Sequence, residues 1–235
     1  MAQIKEAALN RLELLIGEKH SQLLAQKRVL VVGIGGVGSF AVEALARSGI
    51  GKLLLVDYDQ VAISNLNRQI HAGLNTIGAS KVLAMQARLA EIAPWCQVDI
   101  FQLKFDENSD FLLEEVDYVI DAIDDIKAKV TLIKLALSKE VPIISCLGMA
   151  NRLDSSLLEV TTLDKTYNDP FAKALRNRLR NEQVSLKIPV VFSKELPIIK
   201  QVDTAETKIL PSSIFVPSSA GILCASYVIR KIITE

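Results

Sequence analysis

Two cations, Arg68 and Lys81, follow a glycine-rich segment whose spacing suits phosphate groups. That segment is RVLVVGIGGVG, residues 28–38, in which Gly33, Gly35 and Gly38 fall in the G-x-G-x-x-G pattern. The glycines allow a tight turn and a bare backbone, and the amides of the helix that follows can face an anion. Asp57 ends the next apolar run, Lys52 to Val56, about 20 residues on, where an acidic side chain can bind ribose hydroxyls. Beyond it come Asp59, Asn65, Asn67, Arg68, Gln69 and His71 in one irregular stretch, with Lys81 in the next helical pattern. Positive charge at 68 and 81 suits a triphosphate better than a dinucleotide pyrophosphate. Asp121 closes another apolar run and Asp124 opens the turn after it, so a carboxylate can reach the same crevice and hold Mg²⁺ through phosphate oxygens. Taken together these residues fit ATP with Mg²⁺ better than NAD.

Plainer explanations compete at each position. The glycines can serve only close helix-strand packing, and Arg68 and Lys81 can be solvent-facing helix ends. Asn65 and Asn67 are ordinary turn residues, and Asp125 reads as a helix cap. His71 reads as a local hydrogen-bonder, and His20 has no evident role. Two histidines and three scattered cysteines make a transition-metal catalytic site a poor fit.

The elements that must position these residues follow from hydrophobic periodicity. Val29–Val32, a helix over 37–48 and a strand over 52–56 form a first β-α-β unit. Residues 57–76 are polar and irregular, a long connection of the kind that carries function. A helix over 77–92, a half-buried strand over 97–103 and a short helix near 111–115 come next. A strand over 118–121, a helix over 126–139 and a strand over 141–146 follow. The alternation predicts a Rossmann-like, doubly wound, mainly parallel α/β sheet. After Gly148 the expectations are a strand over 157–162, a helix with Asp169 as cap and Pro170 in its first turn, and a strand over 190–193. A polar, loop-like stretch over 204–213 precedes an apolar terminal helix capped by Ser218 or Ser219. Upstream, residues 4–16 read as a helix stopped by Gly17, with a shorter helix over 18–26. No Gly- or Ser-rich linker interrupts the chain. The expectation is one domain over 1–235: an N-terminal helical segment (1–27), a nucleotide-binding core (28–147) and an elaborated C-terminal half (148–235).

The 27 Lys+Arg balance 27 Asp+Glu, so a nucleic-acid partner would need a local patch. One exists: Lys165, Lys173, Arg176, Arg178, Arg180 and Lys187 cluster around one helix, either as a path for an RNA backbone or as a solvated face. Tyr167 and Phe171 are stacking candidates nearby, Phe171 reading more readily as a core anchor. Cys146 and Cys224 read as core residues and Cys96 as part of a surface turn. They form no disulfide framework or zinc site, which leads us to expect a reducing cytoplasm. No leader is expected, and the apolar stretches read as shorter than a membrane span.

In ordered motifs the sequence resembles the ubiquitin-activating-enzyme-like superfamily, whose bacterial members adenylate carboxylates. The residues are GIGGVG, Asp57-Tyr-Asp59, Ser64-Asn65-Leu-Asn67-Arg68-Gln69, Gly78-x-x-Lys81 and Asp121-Ala-Ile-Asp124. LELLIGE at 12–18, ALARSGIG at 44–51, NRQIHA at 67–72, AKALRNRLR at 172–180 and VVFSKELP at 190–197 are similar to its tRNA threonylcarbamoyladenosine dehydratase branch. The resemblance implies that Gly33, Gly35, Gly36 and Gly38 form the phosphate turn and that Asp57 and Asp59 belong to the ATP site, Asp57 at the ribose. It implies that Asn65, Arg68 and Lys81 contact phosphates, that Gln69 supports their loop, and that Asp124 associates with Mg²⁺. Arg11 would reach the ATP site of a neighbouring subunit in a homodimer. Relatives often carry a further arginine where this chain has Ala8. The implied substrate is tRNA carrying threonylcarbamoyl-adenosine, with a sulfur-transfer protein as a possible partner. The alternative is adenylation of a small sulfur-carrier protein, whose enzymes commonly carry paired CxxC zinc motifs that are missing here.

Overall fold

The computed structural model describes residues 2–198, 203–204, 207–208 and 210–234. Of the polar, loop-like stretch expected over 204–213, residues 205, 206 and 209 lie outside the described residues, and Asp203–Thr204 pairs antiparallel with Thr207–Lys208 instead of forming plain loop. Helices α1 (Ala2–Ile16) and α2 (Glu18–Leu24) meet at Gly17, whose φ of 86° ends the first helix. Strands β1 (Arg28–Val32) and β2 (Lys52–Val56) flank α3 (Gly38–Arg47). Helix α4 (Lys81–Ile92), β3 (Gln97–Phe101), β4 (Tyr118–Asp121), α5 (Ile126–Ser138) and β5 (Ile143–Cys146) complete the first half. The second half supplies β6 (Leu158–Thr162), α6 (Pro170–Asn181), β7 (Pro189–Ser193) and α7 (Phe215–Thr234).

Seven strands form one sheet in the order β3-β2-β1-β4-β5-β7-β6. All neighbours are parallel except the β6-β7 pair, which runs antiparallel. The expected doubly wound sheet is therefore present, and strands from both halves of the chain share it. Side chains alternate across it: Val29 and Val31 enter one apolar layer with α3, α4 and α7, while Leu30 and Val32 enter the other with α5 and α6. Such two-sided burial is why the central strands read as continuous apolar runs.

Two helix starts differ from expectation. Helix α4 begins at Lys81 rather than 77, because Gly78 sits at φ 85° and its amide bonds Val61 O at 2.8 Å. Helix α7 begins at Phe215, so Ser218 and Ser219 lie inside the helix and are not its N-cap. At 20 residues α7 is long and apolar enough to cross a membrane, longer than the run expected from sequence. Its Val216, Ala220, Cys224 and Val228 are instead buried in the layer shared with α3. A Cβ at Gly221 would stand 2.2 Å from Val37 O, so glycine lets α7 cross α3 at backbone contact. Cys96 is also buried, not in an exposed turn, and burial pushes its thiol up to about 12.

The long connection between β2 and α4 carries an unusual histidine. His71 is buried and neither ring nitrogen has a hydrogen-bond partner among the described residues, which corrects its expected role as a local hydrogen-bonder. Burial, with Lys81 and Arg88 nearby, lowers its pKa to about 4 from an ordinary 6.5. The unfolded chain therefore binds a proton in that window that the folded chain refuses. Stability associated with the neutral ring is intact above pH 6.5 and is lost as pH falls toward 4, with a slope approaching about 1.4 kcal/mol per pH unit. Thermal melts should show a shallower acid limb for His71→Leu than for the parent chain. Equal slopes would remove the ring from that account.

Candidate active site

Strands β1 and β4 are adjacent, yet α3 and α5 leave them for opposite faces of the sheet, which opens a crevice at their C-terminal ends. A cavity of about 420 Å³ occupies it. Its wall includes Gly33, Gly35 and Gly36 from the turn, Asp57 and Asp59 after β2, and Asn65, Arg68, Gln69 and Lys81 from the connection and α4. Asp124, after β4, completes the ring. Ten of the sequence-predicted site residues thus meet at one place.

The turn is built by close backbone approach. Gly33 has φ 90°, and a Cβ there would stand 2.6 Å from Ala122 O. A Cβ at Gly38 would meet Gly33 O at 1.8 Å, so Gly38 closes the turn from behind without lining the cavity. Gly35 has no heavy atom within 4 Å of a notional Cβ, since it faces the open cavity. The Ser39 amide is spent on Gly35 O at 3.1 Å within the turn, and the N-terminal end of α3 supplies partial positive charge there.

Asp57 is 9% exposed and accepts the Ile34 amide at 2.6 Å and the Asp59 amide at 2.8 Å. Its carboxylate therefore ties β2 to the glycine turn. Burial raises its pKa, against the Lys81 charge and the two amides. Lys81, at the first position of α4, is 6% exposed and pairs with Asp59 at 2.7 Å. Asn65 accepts the Ala62 amide at 3.0 Å through Oδ1, fixing the loop before Arg68. The Arg68 guanidinium donates to Ser64 O at 2.6 Å and Asn67 Oδ1 at 2.9 Å, with no carboxylate partner among the described residues. Gln69 is buried and its Oε1 has no partner among the described residues. Asp124 is exposed and makes no ion pair among the described residues. Asp125 caps α5 through the Ala128 amide at 2.8 Å, as expected.

Asp121 belongs to the foundation instead. It is fully buried against Lys129 at 2.8 Å and accepts the Ser145 hydroxyl at 2.7 Å. Lys129 also donates to Ser145 Oγ at 3.1 Å and to Cys146 O at 2.9 Å. Arg152 is a second buried cation, 3.7 Å from Asp169 and bonded to Ser193 O at 2.9 Å. Neither Lys129 nor Arg152 was foreseen; only the placement of Lys129 on the apolar face of α5 hinted at burial. Arg11 stands outside the cavity. Leu9, two residues earlier, packs on Gly49 at the turn between α3 and β2, the opposite end of the strands from the crevice. The basic cluster is partly neutralised: Arg176 donates to Thr166 O at 2.9 Å, Arg178 pairs with Glu182 at 2.9 Å, and Lys187 with Asp164 at 2.7 Å.

No group of three or more metal-binding side chains occurs among the described residues. Magnesium bound to a nucleotide needs less, one or two carboxylates beside phosphate oxygens, and the unpaired Asp124 on the cavity wall fits that requirement.

Comparison with known proteins identifies the family. The ThiF family profile matches residues 9–233. The tRNA threonylcarbamoyladenosine dehydratase of Bacillus subtilis is 42% identical over 240 residues, spanning 96% of this chain and 94% of that protein. The crystal structure of the E. coli tRNA N6-threonylcarbamoyladenosine dehydratase in complex with AMP superposes with a TM-score of 0.90 at 34% identity, covering 97% of this chain and 95% of that one. Its complex with ATP gives a TM-score of 0.89 at 33% identity. The chain belongs to the ThiF family, on the branch that these dehydratases occupy.

Proposed function

We propose that this chain is an ATP-dependent tRNA threonylcarbamoyladenosine dehydratase. The observation that carries this function is the single cavity ringed by the glycine turn, Asp57, Arg68, Lys81 and Asp124, in a chain 42% identical to such a dehydratase across 96% of its length. The free carboxylate of the threonylcarbamoyl group attacks the α-phosphorus of ATP, giving an acyl-adenylate and releasing pyrophosphate. A nucleophile within the same modified base then attacks the acyl carbon and expels AMP, so the net change to the base is ring closure with loss of water. The nucleophile is already tethered, so closure depends on positioning more than on a strong base.

In this reading the turn amides and the start of α3 hold phosphate oxygens, and Gly35 leaves the space they need. Asp57 spends one lone pair per oxygen on backbone amides and keeps others for ribose hydroxyls. An incoming phosphate competes with Asp59 for the Lys81 ammonium, and the Arg68 guanidinium has no acid to leave. Both cations then stabilise charge that grows on the departing pyrophosphate. Asn65 and Gln69 keep the loop in register. Asp124 would hold Mg²⁺, which supplies further charge neutralisation on the phosphates.

Incubation with ATP, Mg²⁺ and tRNA bearing threonylcarbamoyl-adenosine should yield the cyclic nucleoside by mass analysis, and calorimetry should show ATP binding more tightly than NAD. Absence of product would sink the assignment. Gly35→Ala should keep its melting temperature and lose about tenfold or more in ATP affinity, the value of one charge-assisted hydrogen bond. Asp124→Asn should lose Mg²⁺-dependent turnover without a change in melting.

Arg11 enters this reading through a homodimer in which each subunit completes its neighbour's site. If so, Arg11→Ala and Lys81→Ala chains, inactive separately, should regain partial activity when dissociated and reassociated together, because one class of mixed dimer has an intact site. No recovery in mixtures shown by sedimentation to be dimeric would remove Arg11 from the site. A sulfur-transfer protein would act as an accessory, since cyclisation consumes only ATP and the modified tRNA, and stimulation of turnover by such a protein would reveal it.

For the RNA backbone, Lys173 and Arg180 remain exposed without an ion pair among the described residues, whereas Arg176 is committed to Thr166. Replacing Lys173 and Arg180 by Gln should weaken tRNA binding and lower its salt dependence by about one unit per lost phosphate contact. ATP affinity should stay constant. An unchanged salt slope would make the pair an ordinary solvated face.

A further inference from the structure

The cavity is longer than the ring of nucleotide-binding groups requires. It continues past Asp124 to the end of β5, where Cys146, Leu147, Gly148 and Met149 border it, and to Phe171 in the first turn of α6. Phosphates at the glycine turn and a ribose at Asp57 leave ATP on the β2 side, where Tyr58 and Phe105 line the wall. The lobe beyond β5 is apolar and bounded by an aromatic ring. We propose that this lobe receives the modified adenine and that Phe171 is its stacking residue; the inference rests on the dehydratase function above.

The ring stands on a rigid base. Asp169 caps α6 through the Ala172 amide at 3.1 Å and faces the buried Arg152 guanidinium at 3.7 Å. A Cβ at Gly148 would meet Phe171 Cβ at 3.2 Å and Asp169 Oδ1 at 3.3 Å, so glycine there lets α6 close against the end of β5. Lys129 Nζ lies 5.9 Å from the Phe171 ring centroid, so the buried ammonium holds the ring from below while the ring still borders the cavity. Such a ring is only partly buried, which is costly unless something covers it. A purine is a good cover, because every base offers a π-face to an aromatic side chain. The acyl chain of the modified base would then point back toward Asp124 and the α-phosphorus. Its ring-closing nucleophile would be held beside the acyl carbon. Tyr167 is more exposed but packs edge-on against Phe192, with centroids 5.4 Å apart, and does not line the cavity.

The test compares Phe171→Leu and Phe171→Trp with the parent enzyme, using tRNA bearing threonylcarbamoyl-adenosine. Phe171→Leu should lose about 10- to 100-fold in kcat/KM for the tRNA, with ATP affinity and melting temperature unchanged. Phe171→Trp should retain most of the activity. Phe171→Leu with parental kcat/KM would overturn the proposal. So would equal losses in both variants, or a Leu variant that loses ATP binding and melting temperature together, since the ring would then act only as a wall of the fold. A parent enzyme that forms no cyclic product refutes the dehydratase function and not the stacking role alone.

Discussion

One buried ammonium underlies the whole crevice. Lys129 spends its three donors on Asp121, Ser145 and the Cys146 carbonyl, joining α5 to the ends of β4 and β5. A lone charge buried at that depth would be prohibitive, and even a paired one gains little net stability over apolar packing. What the arrangement supplies is position. The second Asp121 oxygen accepts the Ile123 amide at 3.1 Å, which shapes the turn that delivers Asp124 to the cavity wall. The same ammonium sits beneath Phe171. Removing either member of the pair would leave the other uncompensated, at a cost of about 3–5 kcal/mol.

Electrostatics around the cavity follow a division of labour. Carboxylates close to the sheet, Asp57 and Asp121, are occupied by backbone amides or a buried cation and hold the turns in shape. The charges that the proposed function assigns to the ligand are those with weak or exchangeable partners: Lys81 with the half-exposed Asp59, Arg68 with a backbone carbonyl and an amide side chain, and Asp124 with none among the described residues. Groups of the first kind keep those of the second in place before a nucleotide arrives, and that preorganisation is where transition-state stabilisation comes from.

Much of this was legible in the sequence because the constraints are local. Glycine spacing, an acid after the second apolar run and two cations in an irregular stretch are short-range patterns with direct physical causes. The parts that escaped depend on distant partners. Lys129 reads as one lysine among several in IKAKVTLIK; its place on the apolar face of the helix is a faint hint, and its partners lie on the neighbouring strands. His71 reads as a local hydrogen-bonder because nothing local announces that its ring lacks a partner among the described residues. Helix α4 starts four residues later than the periodicity predicts, since the Gly78 and Lys81 amides bond the Val61 and Asp59 carbonyls across the loop. The antiparallel β6 was also invisible, because strand direction is set by tertiary pairing and not by side-chain alternation.

The contact between Gly221 and Val37 joins the last helix of the chain to the first functional turn. During synthesis the glycine turn leaves the ribosome some 180 residues before α7 does, and at ordinary elongation rates that interval is about 10–40 s. For that period α3 lacks the helix that covers its apolar side, and Ala41 and Leu45 stay open to solvent or to a chaperone. A truncated product would carry every nucleotide-binding motif but lack the helix that backs the glycine turn. The architecture thereby makes a complete nucleotide pocket contingent on the chain having been translated through α7.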